Sequence, residues 1–404
     1  MNDAPAATEQ EAETFEALDR ALRSAGPEGV LEALVRRLDA GGDYRALLDA
    51  MLLKARHELG LPLIQVGGFS ELPEAARLKY EERYIEAIRI VGNKLLTAGD
   101  IPAAWPYFRA IGETEPVSKA LDAYTPGDDD QKLGAIVDVA FNQGANPRRG
   151  FELILEHYGT CSAITAFEHL PRLEEVRTAC ADKLVRQLHE HLVANLRGEI
   201  ADRGQPLPPV GTSIPALLAG RDWLFVDDAY HVDVSHLSST VRISPMLADP
   251  ETIALAVELT EYGRKLSPRH NYEGDPPFEN TYEDHRVYLR ALIGRDIEAG
   301  VAHFRAKLEP PTDDSELDRD TNSAQVLVGL LLRLGLTDQA IAVAAEHLAG
   351  VPDSSLFCPS VSQLCQRAGR PQALARIARE RGDFVNYVAA ILQTGTEKVD
   401  PEST

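Results

Sequence analysis

Short breaks centred on glycine recur along the chain, and each is followed by an Ala-rich stretch that favours a helix. The five glycines are Gly99, Gly144, Gly294, Gly335 and Gly369. The last two lie 34 residues apart, and Gly294 precedes Gly335 by 41 residues. Periods in this range are typical of helix–turn–helix units that stack side by side. We therefore predict an all-α fold, a right-handed array of stacked antiparallel helix pairs.

The composition agrees with helices and argues against some partners. Of the 404 residues, 44% are apolar but only 6% are aromatic, and no long β-type alternation predicts a strand. The net charge of −22 repels phosphate backbones and anionic lipids, so we expect neither nucleic acid nor membrane as a partner. Four cysteines without a paired spacing, and no apolar signal core, favour a cytoplasmic location.

Proline and acidic segments interrupt the helical pattern and suggest the domain organisation. The predicted order is a disordered acidic N-terminus at 1–12, a helical array at 13–203, a Pro-rich break at 204–213, a second helical array at 214–393 and a disordered tail at 394–404. Loops are also predicted at 61–72, 267–280 and 310–320, where proline, glycine or acidic residues cluster.

The repeat is clearest over residues 282–392. There Gly335 precedes Ala340 and Gly369 precedes Ala373, and small residues after a break let two helices approach closely. On these residues the region resembles the tetratricopeptide-like class of α-solenoids. The resemblance implies helix pairs stacked around a concave surface. It implies no chemistry, because a fold alone does not fix a function.

The segment 223–236 carries the densest set of chemically active side chains. Tyr230, His231, Asp233 and His236 fall within seven residues of one another. Two imidazoles and a carboxylate at this spacing can hold a divalent transition metal, whose bound water can act as a hydrolytic nucleophile. The simpler interpretation, which we favour, is that Asp233 caps the helix that begins at Val234.

A second cluster surrounds Gly159. His157 and Thr160 flank this glycine, and Cys161 follows. The pattern predicts a helix end followed by a helix start, where free backbone N–H groups can bind an anion. A Cys161 nucleophile with His157 as its base is an alternative, although a cysteine beside a turn is more often a packed residue.

The long loop at 267–280 is a candidate binding loop. His270 and Tyr272 lie within it, and Tyr282 and His285 begin the next helix. If the helix pairs stack as predicted, the first helix of each pair faces the groove. We therefore predict that Tyr282, His285, Arg286 and Tyr288 contact a ligand.

Two functional hypotheses follow. The first is a cytoplasmic helical-repeat protein that binds a peptide, a protein or a small polar ligand on its concave face. The alternative is an all-helical enzyme, a metal-dependent hydrolase with a site at His231, Asp233 and His236 that His270 or His285 completes. Motifs for nucleotide binding and for a serine nucleophile are missing from the sequence, which favours the binding protein.

Overall fold

The structure, a computed structural model, describes residues 9–64, 73–308 and 321–396. The regular secondary structure of these residues is helical and they form no β-strand, although an isolated antiparallel bridge pairs Glu273 with Asn280. The all-α prediction is therefore confirmed. None of the described helices is both long enough and apolar enough to cross a membrane.

Eighteen α-helices lie in the described part of the chain. Their bounds are α1 (Glu9–Gly41), α2 (Tyr44–Glu58), α3 (Glu74–Thr97), α4 (Ile101–Ala110), α5 (Glu115–Ala123), α6 (Asp130–Val137), α7 (Pro147–His169), α8 (Glu174–Asp202), α9 (Ile214–Leu218), α10 (Val234–Ile243), α11 (Pro250–Gly263), α12 (Thr281–Leu292), α13 (Ile297–Arg305), α14 (Asn322–Arg333), α15 (Thr337–His347), α16 (Val361–Arg367), α17 (Pro371–Arg381) and α18 (Phe384–Thr396). Shorter 3-10 helices cover Asp222–Asp228 and Pro268–His270, and a π-helical turn covers Asp138–Asn142.

All five predicted glycine breaks are present. Each glycine has a positive φ, between 62° and 77°, which L-residues with a Cβ seldom adopt. At Gly335 the N–H donates to Leu332 O (3.0 Å) and the next N–H, of Leu336, donates to Leu331 O (2.8 Å). The same two bonds recur after α3, α12 and α16. They form the hydrogen-bond pattern that ends a helix at a left-handed glycine.

The small residues after the breaks do not all pack as predicted. Ala104 and Ala340 are fully buried, but Ala299 is exposed. Its neighbour Gly300 is buried instead, and a Cβ on Gly300 would lie 3.0 Å from the Cβ of Ala291 on the preceding helix. The close helix approach in this pair therefore uses the next residue along, because one step around a helix turns the side chain to a different face.

The ends of the chain depart from the prediction at their inner edges. Residues 9–12 belong to α1 and residues 394–396 belong to α18, although both sets were assigned to disordered ends. Helices α5 and α18 were not among the predicted helices. Residues 1–8 and 397–404, most of the loop at 61–72 and the whole connector at 310–320 lie outside the described residues.

The chain divides by contacts into two compact units, at residues 157 and 158. In the first unit, helices α1 to α5 pack consecutively. Its core includes Val91, Trp105, Phe108 and Leu121, all 3% exposed or less. The first unit thus buries large apolar side chains between successive helices.

In the second unit, α11 packs against α8, α9, α10 and α12, and the helices from α12 to α18 contact one another in chain order. The core of that later region includes Phe304, Leu327, Leu331 and Leu364. The Pro-rich segment 204–213 lies within this second unit as a loop between α8 and α9. Arg197 holds it through the carbonyls of Pro208 and Pro209, and its role as a domain boundary stays a prediction.

One glycine fixes how α11 meets α12. Gly263 lies under the ring of Tyr282, and a Cβ at position 263 would lie 2.3 Å from Tyr282 Cδ1. Real Cβ atoms do not approach a ring carbon so closely, because dense interiors leave no room for the shift. This contact therefore places α12, and with it several candidate site residues.

We expect Gly263→Ala to destabilise the protein by about 2 kcal/mol, because the added methyl group overpacks the Tyr282 contact. Gly198→Ala in the middle of α8 is the matched control, since Gly198 has open space around its Cα. That change should stabilise by about 0.5–1 kcal/mol through helix propensity. Urea unfolding measures both variants, and a Gly263→Ala variant as stable as Gly198→Ala would contradict the packing.

Candidate functional site

Asp233 acts as the N-cap of α10, as the simpler interpretation predicted. Its Oδ1 accepts hydrogen bonds from the backbone N–H groups of Ser235 (2.8 Å) and His236 (3.2 Å). The hydroxyl of Ser235 donates to the same oxygen, and these bonds hold the pKa of Asp233 below its ordinary value. The carboxylate of Asp233 is therefore engaged in capping the N-terminus of α10.

The side chain of His231 points towards Tyr262 of α11 and not towards Asp233. Its Nδ1 lies 3.0 Å from the hydroxyl of Tyr262, and this hydroxyl also accepts the backbone N–H of His231 at 2.7 Å. Burial lowers the pKa of His231 and raises that of Tyr262 to about 12. A neutral imidazole that accepts the Tyr262 proton satisfies both contacts.

The positions of these side chains do not support the metal hypothesis. No group of three or more His, Cys, Asp or Glu side chains in the described ranges is arranged to hold a metal ion. His231 contacts α11, whereas Asp233 and His236 belong to the first turn of α10. The side chains of His231 and Asp233, which the sequence analysis placed in one site, therefore have separate local roles.

The break at Gly159 is confirmed, with φ 82° and ψ 177° inside α7. His157 is exposed in the first unit, and Thr160 is half-buried in the second. Ser162 Oγ donates to Tyr158 O at 3.0 Å, and Cys161 is exposed. The helix-end interpretation accounts for these residues, and an anion or a nucleophile at this place stays a prediction.

Tyr282, His285 and Tyr288 are core residues, so the prediction that they face a groove is wrong. They are 3%, 2% and 5% exposed. They lie on the stripe of α12 that packs against neighbouring helices, and a ligand in solvent cannot reach them. Only Arg286 is partly exposed, and it pairs with Glu283 and Glu261.

An ionic cluster that the sequence did not reveal anchors the loop at 267–280. Asp284 is almost completely buried and accepts hydrogen bonds from Asn280 N–H (2.8 Å), His303 Nε2 (2.7 Å) and Lys307 Nζ (2.8 Å). Lys307 also donates to the carbonyl of Pro277 at 2.6 Å. A buried carboxylate is costly unless it is paired, so this cluster holds the loop, α12 and α13 in one arrangement.

His285 completes the anchoring of the same loop. Its ring stacks on Phe278 with centroids 4.1 Å apart, and its Nδ1–H donates to Thr281 O at 2.6 Å. Burial lowers the pKa of His285 to about 4, so the imidazole is neutral near pH 7. Thr281 Oγ1 in turn donates to Tyr272 O at 2.8 Å.

The exposed candidates lie where two loops meet. Tyr230 is 55% exposed and packs edge-on against the His270 ring, with centroids 5.3 Å apart. His270 Nε2 lies 3.1 Å from Asp228 O, and Tyr272, two residues later, is 42% exposed. We call Tyr230, His270 and Tyr272 the Tyr230 patch.

The backbone under this patch is strained. Asp227 and Asp228 both have φ 59°, a left-handed conformation that costs a residue with a Cβ about 1–2 kcal/mol. The loop is held from two sides: Asn195 of α8 donates to His231 O at 2.6 Å, and Tyr262 of α11 binds His231 N–H. Strain of this kind persists only where the surroundings fix it, and it is common at functional sites.

Comparison with known proteins supplies no relative. No protein-family model matches the chain, and neither a curated protein nor a solved structure is significantly similar to it. The functional argument therefore depends on the geometry of this chain.

The burial of His285 predicts a pH dependence of stability. Its pKa is about 4 when folded and about 6.5 when unfolded, so the unfolded state binds the proton first as the pH falls. The stabilisation is complete above pH 6.5 and is lost as the pH falls towards 4. From pH 7 to pH 5 it should decrease by about 2 kcal/mol.

His285→Asn is the matched variant, because its side-chain N–H can still donate to Thr281 O while it does not titrate. Urea unfolding at several pH values gives the slope of the free energy of unfolding against pH. From pH 7 to pH 5 wild type should lose about 2 kcal/mol more of this free energy than His285→Asn loses. Equal slopes would show that His285 is not buried as a neutral group.

Proposed function

We propose that the chain is a helical-repeat protein that binds a protein or peptide partner, with the Tyr230 patch as part of the contact surface. The proposal includes the finer architecture predicted from the sequence, in which residues 281–381 form three antiparallel helix pairs, α12–α13, α14–α15 and α16–α17. This arrangement is a tetratricopeptide-like stack.

Side-chain contacts between the second helices support the stack. Arg305 of α13 donates to Gln339 of α15 at 3.2 Å, and Arg370, at the start of α17, donates to Asp338 of α15 at 3.3 Å. These partners are 34 and 32 residues apart, close to the repeat period. Arg381 of α17 also donates to Ala349 O, beyond the end of α15. These contacts support an arrangement in which α13, α15 and α17 form one layer.

The single observation that carries the binding proposal is the Tyr230–His270 pair on a strained, braced loop. Tyrosine is enriched at the energetic centres of protein interfaces, because it offers a large amphipathic surface at low entropic cost. Bracing from α8 and α11 pre-organises Tyr230, which reduces the cost of binding. Arg269 beside it pairs with Asp228 at 3.2 Å and adds a charged rim.

The exposure of the patch favours a macromolecule over a small polar ligand. Small-molecule sites enclose most of the ligand surface, whereas Tyr230 and Tyr272 are about half exposed. The hydrolase alternative required His231, Asp233 and His236 to converge, and the side chains of His231 and Asp233 instead serve Tyr262 and the α10 cap. We therefore do not propose that alternative.

A photo-crosslinking amino acid at position 230 tests the proposal in the native cell. We expect a discrete crosslinked partner from position 230 and none from position 207, where Leu207 is similarly exposed in the same unit. With the purified partner, Tyr230→Ala should raise the Kd by about 30-fold, as for an interface anchor worth about 2 kcal/mol. Equal crosslinking from both positions, or an unchanged Kd, would reject the patch.

A further inference from the structure

The last described helix, α18, has an apolar face that no other described element covers. Five large apolar side chains are exposed on it by 41–80%. They are Phe384, Val385, Val388, Ile391 and Leu392, and we call them the α18 stripe. Elsewhere in the unit most large apolar side chains lie in the core, with exceptions such as Leu207 and Val210. The helix is therefore covered on one side only.

The spacing of the stripe makes it one continuous surface. Residues 384, 388 and 391 are separated by four and then three positions. Residues 385, 388 and 392 are separated by three and then four positions. Such intervals place side chains along one face of a helix. On the opposite face, Ala390 is fully buried, and Gln393 donates to Gln366 of α16 at 2.6 Å. The stripe thus points away from the rest of the unit.

The area of the stripe is sufficient for a specific contact. Five side chains with these exposures present on the order of 500 Å² of apolar surface, at the upper end for a patch on a monomer. Two such stripes in contact would bury about 1,000 Å² in total, the lower limit for a specific interface.

The charge pattern favours a second copy of the chain as the occupant. Residues 384–396 carry no charged side chain, although the whole chain has a net charge of −22. Two copies can therefore bring this helix together without opposing like charges, which few other surfaces of such an acidic protein allow. By sequence, 309–320 and 397–404, which lie outside the described residues, each contain one large apolar residue, Leu317 and Val399, and so cannot form an equivalent stripe.

We propose that α18 pairs with α18 of a second copy, antiparallel, about a two-fold axis near Val388. A two-fold contact uses the same surface on both copies, which suits a self-complementary apolar stripe. The antiparallel direction brings each helix N-terminus near the partner's C-terminus, so the helix dipoles attract. In this register Phe384 lies opposite Leu392 of the other copy, and Val388 lies at the axis.

Sedimentation equilibrium with the full chain, from about 1 to about 200 µM, tests the pairing. Wild type should show a monomer–dimer equilibrium. The double variant Phe384→Glu with Leu392→Glu opposes like charges at both ends and should weaken the dimer at least about 100-fold. Phe384→Glu with Leu392→Lys opposes unlike charges in this register and should dimerise at least about tenfold more tightly than the Glu/Glu variant.

Leu207→Glu with Val210→Glu is the control for added charge, because both residues are exposed in the same unit. It should leave the equilibrium unchanged, and circular dichroism should show wild-type helicity for every variant. A wild type that stays monomeric would overturn the proposal and would leave the stripe to another partner. A Glu/Lys variant as weak as the Glu/Glu variant would exclude the antiparallel register.

Discussion

A chain that reverses between two helices within three or four residues needs a backbone conformation that most residues avoid. Glycine supplies it at Gly99, Gly294, Gly335 and Gly369, where a positive φ lets two N–H groups satisfy carbonyls that the helix end would leave unpaired. The next helix can then pack back against the last one. The buried core between α12 and α17 depends on these reversals, because each helix buries its apolar face only against neighbours that the turns return to it.

Features that depend on a few adjacent residues could be predicted from the sequence. The glycine breaks and the Asp233 cap each arise from local hydrogen bonds or from fixed backbone angles, so the residue pattern is sufficient. The periods of 34 and 41 residues also indicated helix pairs. The second interval is longer because it contains the extra connector between α13 and α14.

Features that depend on distant partners could not be predicted. Tyr282 and His285 look suitable for binding in the sequence, but the face of α12 that is buried is decided by Gly263 on another helix and by Phe278 in the loop. Asp284 lies 19 residues before His303 and 23 before Lys307, and no local pattern links them. The exposed stripe of α18 was missed for the opposite reason, because an apolar helix pattern normally predicts a buried face.

In the second unit, the polar side chains that hold the structure together can be distinguished from those that remain accessible to a partner. Asp284, Lys307 and His285 hold the loop at 267–280 and are engaged with one another or with backbone carbonyls. Tyr230 and His270 are held from below but remain accessible. This combination of rigid support and exposed aromatic surface is what a protein contact requires, and it carries more weight for function than the histidine spacing did.

Short-range crosslinking between engineered cysteines tests the central claim, the ordered stack of helix pairs, most directly. With Cys161 and Cys358 replaced by alanine, cysteines at positions 305 and 339, or at 338 and 370, should be joined by a reagent about 10 Å long, because neighbouring helices pack 8–10 Å apart. Cysteines at 305 and 370 lie two helices apart in this layer, about 20 Å, and should not be joined. Crosslinking of 305 to 370 with the same yield as the neighbouring pairs would contradict the stack.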